Sequence, residues 1–286
     1  MNDIIVSDVS YQVKDKIILN NISFTVTKGE SFALLGENGS GKSTLIDVIL
    51  NDLKPSKGYI KFFEKSKACF DKVGIVYDQL PLFSMLRVFE IIKYFTTIRK
   101  LEFENIKKKY FEIFEINKIQ KSFIKELSQG EKKRVGILLA LIHNPDLLIL
   151  DEPFANLDPT ITERLWKIIR NENRTIFFTT HNWKEAEKLA VKIAFIYKGK
   201  VLFEPQSPQS ILNSLPALKI INFPKNENII KLLTNYQYYL HDENINVFFN
   251  EDSKLLKDIS QFTNNFSVQE VDLKDAYLFN INNYKA

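Results

Sequence analysis

The chain has 286 residues, of which 45% are hydrophobic and 26% are charged, a composition typical of globular proteins. Its 39 basic and 35 acidic residues leave a net charge of +4 without a long basic tract, so the charge balance gives no support to nucleic-acid binding. A single cysteine, Cys69, excludes an internal disulfide and a cysteine-based zinc site.

The hydropathy pattern gives no membrane-spanning segment. The longest uninterrupted apolar run, residues 135–142, is far shorter than the roughly 18 to 20 residues that cross a bilayer. The N-terminal sequence MNDIIVSD lacks the charged and then apolar segments of an export signal. We therefore expect the chain to stay in the cytoplasm and to contact a membrane only through a partner.

Two kinds of strand pattern follow one another along the chain. Short β-rich runs separated by polar turns predict an antiparallel sheet, and they cover residues 4–11, 17–26 and 58–63. Short apolar strands interleaved with helical stretches predict a buried parallel sheet of α/β type. These strands are residues 31–35, 73–77, 147–150 and 175–179.

Between residues 80 and 125 the pattern becomes helical. The apolar residues at helical spacing are Phe89, Ile92, Phe95 and Ile98, followed by Tyr110, Phe111, Phe114 and Ile116. We therefore predict a helical subdomain over about residues 80–128, inserted into the α/β domain.

Residues 36–43, GENGSGKS, match the pattern G-x-x-x-x-G-K-[ST] between an apolar run and a helix-compatible run. Glycines suit a backbone that approaches a phosphate closely, and N–H groups at the start of a helix would face that phosphate. Lys42 would neutralise phosphate charge and the Ser43 hydroxyl would coordinate Mg²⁺. A flexible turn is the alternative interpretation. The predicted nucleotide contacts are Gly36, Glu37, Asn38, Gly39, Ser40, Gly41, Lys42, Ser43 and Thr44.

Two carboxylates, Asp151 and Glu152, end the apolar strand at residues 147–150. Adjacent residues on a strand point to opposite sides, so these two should not share a role. We predict that Asp151 faces Mg²⁺ and that Glu152 acts on the attacking water as a general base or orienting group. Solvated acids at a strand end are the alternative.

The sequence LSQGEKKRV, residues 127–135, permits a plain interpretation as well as a functional one. Ser128 and Glu131 fit a capping box, so the plain interpretation is a capped helix start followed by a solvated basic face of residues 132–134. Together with the preceding motifs, the segment resembles the LSGGQ signature of ABC transporter ATP-binding subunits. Gln129 replaces the first glycine and Glu131 the glutamine, whereas Ser128 and Gly130 are retained. The resemblance implies that these four residues contact ATP.

The resemblance covers about residues 1–205 and includes several more motifs. It implies that Gln79, which follows VGIVYD, touches the metal or the water, and that Asp158 in NLDP lies at a dimer interface. His181 in TTHN is similar to the histidine near the γ-phosphate, for which a packed or surface histidine is the alternative. Tyr11 is similar to the aromatic residue that stacks on adenine, and packing within a strand is its alternative.

The resemblance also implies a mechanism. Two ATPase subunits, as a homodimer or a heterodimer, enclose two ATP molecules, each held by the phosphate loop of one chain and the signature helix of the other. The positive end of the helix that starts at Ser128 could complete the cage around the γ-phosphate. ATP would hold the dimer together, and hydrolysis would move a transmembrane permease docked near residues 79–89.

Other classes of nucleotide-binding protein fit less well. A soluble ABC ATPase that acts on nucleic acid or the ribosome would have a coiled coil or a second ATPase copy, and neither pattern is present in this sequence. A GTPase needs the motif N-K-x-D, and the nearest match, NKIQ at residues 117–120, lacks the aspartate. We therefore expect a transport ATPase at the cytoplasmic face of the cell membrane, attached peripherally through its permease, with no nucleic-acid partner.

The C-terminal part predicts a small α+β domain over residues 208–286, separate from an ATP-binding domain over residues 1–207. Its pattern reads strand 218–223, helix 226–233, strands 236–240 and 245–249, helix 253–262, strand 266–271 and a last helix. This order is the βαββαβ motif of ferredoxin-like domains, whose two helices would cover one face of the sheet. An extension of the catalytic sheet, or an extended arm on a dimer partner, is the alternative.

The end of the chain bears on the direction of transport. The segment VDLKDAYLFNI is similar to the S-L-E-D-x-F-L ending of ATPase subunits of drug, peptide and lipid exporters. An importer with a C-terminal regulatory domain is the alternative.

Overall fold

The computed structural model describes residues 1–63, 70–78, 84–170, 173–250 and 253–285. The chain forms two compact units, one of Met1–Asn182 with Leu189–Glu204 and one of Trp183–Lys188 with Pro205–Ala286.

The strands of the described residues are β1 (Asn2–Val13), β2 (Lys16–Thr27), β3 (Ser31–Leu35), β4 (Lys57–Phe62), β5 (Val73–Val76), β6 (Leu147–Asp151), β7 (Thr175–Thr180), β8 (Lys192–Tyr197), β9 (Lys200–Val201), β10 (Lys219–Pro224), β11 (Tyr238–His241), β12 (Asn244–Phe248) and β13 (Ser267–Glu270). The α-helices are α1 (Lys42–Ile49), α2 (Val88–Ile98), α3 (Phe103–Tyr110), α4 (Ile116–Ile119), α5 (Gln129–Leu141), α6 (Pro159–Arg170), α7 (Trp183–Leu189), α8 (Pro208–Asn213), α9 (Glu227–Leu232), α10 (Ser253–Ser260) and α11 (Leu273–Lys285).

The first unit contains a six-stranded sheet in the order β5-β6-β7-β3-β8-β9. The strands from β5 to β8 pair in parallel, and only β9 pairs antiparallel, with β8. Every residue of β3, β6 and β7 is buried, which explains why their sequences are apolar runs without alternation. The predicted parallel sheet is confirmed, and β8 and β9 extend it beyond the strands that the sequence pattern indicated.

The predicted antiparallel sheet is also confirmed, with the order β2-β1-β4. Its inner side chains share one core with the parallel sheet. The rings of Phe24, Phe32 and Phe177 stack with centroid distances of 5.1 to 5.9 Å, and they join β2, β3 and β7. β2 also lies beside the loop that follows β3, because Ile18 and Leu19 are next to Gly41.

The insertion is helical, as predicted, but the buried face of α2 differs from the predicted stripe. Val88, Ile91 and Ile92 are buried, whereas Ile98 is 57% exposed. A repeat of three residues drifts around a helix of 3.6 residues per turn, so the apolar face alternates steps of three and four residues. Tyr110, Phe111, Phe114 and Ile116 are buried as the pattern predicted, although Phe111 and Phe114 lie in the turn between α3 and α4.

The second unit contains a four-stranded antiparallel sheet in the order β11-β12-β10-β13. Strands 1 to 4 of the predicted βαββαβ motif therefore occupy the order 2-3-1-4, which is the ferredoxin-like arrangement. One face carries a core that includes Ile229 and Leu233 with Leu255 and Ile259 of α10, so the predicted helix pair covers this face. Leu232 of α9 and Phe262, just after α10, lie outside this core and are exposed.

Candidate functional site

The loop between β3 and α1 depends on glycine at three positions. Gly39 and Gly41 have φ angles of +78° and +110°, in the region that other residues rarely adopt. A Cβ at Gly36 would lie only 2.4 Å from the carbonyl oxygen of Ile196. The loop therefore lies tightly against β8, with a backbone that only glycine permits.

Lys42 and Ser40 direct polar groups into this loop. The ammonium of Lys42 donates to the carbonyl oxygens of Gly36 and Glu37 at 2.8 and 3.2 Å. The hydroxyl of Ser40 is buried without a hydrogen-bond partner among the described residues. A buried donor without a partner is costly, and a phosphate oxygen would satisfy it. The loop thus fits the phosphate chain that its sequence predicts.

Asp151 lies at the end of β6 in a buried polar cluster. Its Oδ1 accepts a hydrogen bond of 2.5 Å from the hydroxyl of Thr179. Burial raises the pKa of Asp151, while hydrogen bonds from Thr179 and Ser43 act in the opposite direction. The structure therefore brings the Ser43 hydroxyl and the Asp151 carboxylate together, and this pair of oxygen ligands suits Mg²⁺.

Glu152 follows β6 in a left-handed backbone conformation, with a φ angle of +47°. This conformation costs a residue with a side chain about 1 to 2 kcal/mol. The N–H of Glu152 donates to the hydroxyl of Thr179 at 3.0 Å, and this bond holds the turn. Asp151 and Glu152 do point to different partners, but the left-handed turn after the strand separates them, not alternation along it.

The Glu152 carboxylate lies between two basic side chains. Its Oε1 is 3.4 Å from the ammonium of Lys42, and its Oε2 is 2.9 Å from Nδ1 of His181. Glu152 is largely buried, whereas His181 is 52% exposed. Apart from the ion pair with Lys42, Glu152 Oε1 is buried and has no hydrogen-bond partner among the described residues.

The signature segment forms the predicted helix start. Ser128 caps α5: its hydroxyl accepts from the N–H of Glu131 at 3.3 Å, and the Glu131 carboxylate accepts from the N–H of Ser128 at 2.8 Å. Ser128 and Gln129 are exposed, whereas Gly130 packs so closely that a Cβ there would lie 2.9 Å from the carbonyl oxygen of Asn156. The N-terminal end of α5 is therefore fixed against the loop that contains Asn156.

The basic residues after the signature are not a solvated face. Lys133 and Arg134 are only 3% and 7% exposed. Arg134 donates to the Glu115 carboxylate at 2.6 Å and to the carbonyl oxygen of Phe114 at 3.1 Å. Lys133 donates to Asp78 and to the carbonyl oxygens of Tyr77, just after β5, and of Asp151 at the end of β6. The plain interpretation of this segment is therefore correct for the cap and wrong for the basic face.

In the described part of the chain, two further predicted residues, Asp158 and Tyr11, have partners other than this carboxylate cluster. Asp158 is exposed at the start of α6, and its carboxylate accepts from the N–H of Thr160 at 2.8 Å, which lowers the pKa of Asp158. Tyr11 is half-buried on β1 and pairs in register with Leu19, whose side chain lies beside Gly41. Gln79 and Cys69 lie outside the described residues, as does the first part of the predicted docking segment, residues 79–83.

Three residues of this site were not singled out by the sequence pattern. The hydroxyl of Thr179 bonds to both Asp151 and Glu152. The sequence indicated this residue only as a polar side chain near the end of an apolar strand, two positions before His181. Lys133 and Asp78 form an ion pair of 3.0 Å. Their partners are distant in the sequence and include backbone carbonyls, which no local pattern reveals.

Comparisons with known proteins place this chain in a family. The model of the family described as "ABC transporter" matches residues 19–155. The lantibiotic transport ATP-binding protein SrtF of Streptococcus pyogenes is 35% identical over 196 residues, which are 67% of this chain and 85% of that protein. The Nod factor export ATP-binding protein I of Rhizobium johnstonii is 34% identical over 208 residues, which are 68% of this chain and 67% of that protein.

Solved structures agree with this placement. The cbiO1 protein of Clostridium perfringens, part of the ABC transporter complex cbiONQ, superposes with a TM-score of 0.64 at 27% identity, over 82% of this chain and 95% of that chain. Among the described residues, the helices are too short or too polar to cross a bilayer. The chain belongs to the ABC transporter ATP-binding proteins and is an ATP-binding, ATP-hydrolysing subunit.

Proposed function

We propose that this subunit hydrolyses ATP at the loop of residues 36–44 and thereby drives transport through a separate transmembrane permease. The observation that carries the proposal is the position of the Glu152 carboxylate, 3.4 Å from Lys42 and 2.9 Å from His181, next to the buried Asp151. Phosphoryl transfer requires a proton acceptor, a cation beside the phosphates and a metal-binding carboxylate. Glu152, Lys42 and Asp151 supply these groups in that order.

The chain's own residues divide this work. The loop and Lys42 hold the phosphates, and Ser43 with Asp151 would hold Mg²⁺, with Gln79 as a further ligand. Mg²⁺ held by these residues would neutralise phosphate charge during the transfer. Glu152 accepts a proton from the attacking water, and His181 holds the Glu152 carboxylate in place. The side chain of Tyr11 stacks on the adenine ring.

The signature segment acts on a second ATP, bound by a partner subunit. Its exposed residues Ser128 and Gln129, together with Gly130, Glu131 and Asp158, are available to another copy of this chain or to a related subunit. The N-terminal end of α5 provides N–H groups and partial positive charge for a γ-phosphate. Each hydrolytic site is therefore complete only in a homodimer or a heterodimer.

Export is the favoured direction of transport. Of the similar proteins, one is named for lantibiotic transport and another for Nod factor export, and the C-terminal sequence of this chain is similar to that of exporter ATPase subunits. The subunit then works at the cytoplasmic face of the cell membrane. An importer with a regulatory domain over residues 208–286 is the second candidate, favoured by the ferredoxin-like sheet of this region.

The experiment compares the full chain with a Lys42→Ala variant. We expect the full chain to hydrolyse ATP in the presence of Mg²⁺ and the variant to lose both hydrolysis and tight ATP binding. Purification of the chain from native membranes should also recover a membrane-spanning protein. Recovery of RNA, DNA or ribosomes instead would contradict the transport function.

A further inference from the structure

Lys133 of α5 is a buried cation that reaches two strand ends. Its ammonium lies 3.0 Å from the Asp78 carboxylate, 3.1 Å from the carbonyl oxygen of Asp151 and 3.5 Å from the carbonyl oxygen of Tyr77. Asp78 follows the end of β5, and Asp151 ends β6. One side chain of the signature helix therefore holds both strands at the edge where the carboxylates lie.

A buried lysine is an expensive way to fill this space. Removing an ammonium from water is costly, and a protein with an apolar side chain of similar volume in its place is often equally stable or more stable. Lys133 is 3% exposed, whereas the side chain of its ion-pair partner, Asp78, is 53% exposed. Packing alone therefore does not account for a lysine at this position.

The next residue shows what α5 connects. Arg134 bonds to Glu115 and Phe114, in the turn between α3 and α4 of the helical insertion. Lys133 bonds instead to the ends of β5 and β6. Two adjacent cations thus fix the first turns of α5 to the insertion through Arg134 and to the hydrolytic site through Lys133.

We infer that Lys133 is a positioning residue for ATP hydrolysis, which aligns the ends of β5 and β6 with the signature helix. The inference rests on the proposed function. Lys133 acts through the backbone of Asp151, from which the Asp151 and Glu152 side chains extend, and through Asp78, which precedes Gln79 in the sequence. In a dimer this contact also links a chain's own hydrolytic site to the helix that serves its partner's ATP.

The test measures kcat and KM for MgATP in full-length variants. Lys133→Met keeps the length of the side chain without its charge, and we expect kcat to fall about tenfold to a hundredfold with KM within about twofold of the wild type. Lys133→Arg keeps the charge and should recover part of the loss. Lys167→Met removes an exposed charge from α6 as the control and should leave kcat within about twofold of the wild type.

A second comparison identifies the partner. Asp78→Ala should lower kcat about threefold to tenfold, and the double variant should be no slower than Lys133→Met, because both changes break one ion pair. If Lys133→Met does not fold, Asp78→Ala decides the question. Effects on kcat that multiply in the double variant would overturn the inference. A normal kcat in Lys133→Met, or in Asp78→Ala where that variant decides, would overturn it as well.

The proposed function and this inference fail in different ways. Hydrolysis that survives Glu152→Gln contradicts the proposed function, whatever Lys133 does. Loss of hydrolysis in Glu152→Gln together with unchanged turnover in Lys133→Met contradicts only the positioning role. An equal loss in Lys167→Met and Lys133→Met would assign the effect to the loss of any positive charge and would also overturn the inference.

Discussion

The ammonium of Lys42 and the carboxylate of Glu152 form a buried ion pair of 3.4 Å across the phosphate loop. Lys42 is thus held by the group that we assign to the attacking water. ATP must draw Lys42 towards its phosphates, and Glu152 then repels the incoming negative charge. The site therefore exchanges one ion pair for another when the nucleotide binds.

The first prediction follows from this exchange. In Glu152→Gln the competing charge is absent, so we expect the dissociation constant for ATP to fall about threefold to tenfold. Equilibrium titration with ATP checks this result. Glu104→Gln, an exposed change on α3, is the control and should leave affinity unchanged. Weaker ATP binding in Glu152→Gln would show that Glu152 does not compete for Lys42.

The second prediction concerns Thr179, whose hydroxyl joins Asp151 to the backbone of Glu152. Thr179→Val keeps the volume but leaves the N–H of Glu152 without its acceptor, which should cost about 1 to 3 kcal/mol of unfolding free energy. Turnover should fall about tenfold or more, because both carboxylates lose their alignment. Denaturation and steady-state hydrolysis measure the two effects, with Thr97→Val, an exposed change on α2, as the control.

The third prediction concerns the pH dependence of kcat in Thr179→Val. Burial raises the pKa of Asp151, and the hydrogen bond from Thr179 partly offsets that increase. Without the hydroxyl the pKa rises further, so the acid limb of kcat should move to higher pH in Thr179→Val. A raised pKa means that the folded chain favours the protonated carboxyl. Its contribution to the folding free energy is therefore present at low pH and is lost as the pH rises through the folded pKa. An acid limb that stays in place would contradict the role of Asp151.

The signature segment is best tested at Gln129. Any side chain at Gly130 would meet the carbonyl oxygen of Asn156, so a change there disturbs the fold as well as the surface. Gln129→Glu places a like charge beside the partner's γ-phosphate and should lower turnover about tenfold or more without changing ATP affinity of the monomer. Gln261→Glu is the same change in the second unit and serves as control. Equal loss of ATP affinity by the monomer would contradict a site shared between subunits.

A stability prediction tests whether residues 208–286 form a separate domain. The Tyr239 hydroxyl bonds to the Asp275 carboxylate, which is buried at the start of α11. Tyr239→Phe removes this bond and should lower the unfolding free energy of the second unit by about 1 to 3 kcal/mol, whereas Tyr238→Phe should change it by less than about 0.5 kcal/mol. In calorimetry only one of two transitions should move. One cooperative transition for the whole chain would contradict separate domains.

Much of the fold was predictable because its signals are local. The strands of the second unit are short runs between polar turns, and the order of strands and helices along the chain indicated the motif. β8 carried a similar signal in KIAFIY, but it follows a helix without a functional motif and was not predicted. The face of α2 was misplaced because Phe89 and Ile98 suggested a stripe that ignored the helical drift.

The site was predictable where a motif places its residues and not where tertiary contacts do. Lys42, Ser43, Asp151 and His181 each follow or begin an element with a recognisable pattern. The burial of Lys133 depends on the carbonyl oxygens of Tyr77 and Asp151, which have no sequence signature. The left-handed turn at Glu152 is likewise set by its bond to Thr179.

The most direct test of the proposed function measures turnover and sedimentation of Glu152→Gln with MgATP. The amide keeps the shape of the side chain but cannot accept a proton, so turnover should fall at least about a hundredfold. The loop and Asp151 are unchanged, and bound ATP that cannot be hydrolysed should trap a dimer. We therefore predict a variant that sediments as a dimer in MgATP and barely turns over. A variant that hydrolyses ATP at nearly the wild-type rate would contradict the role of Glu152 and with it the proposed mechanism.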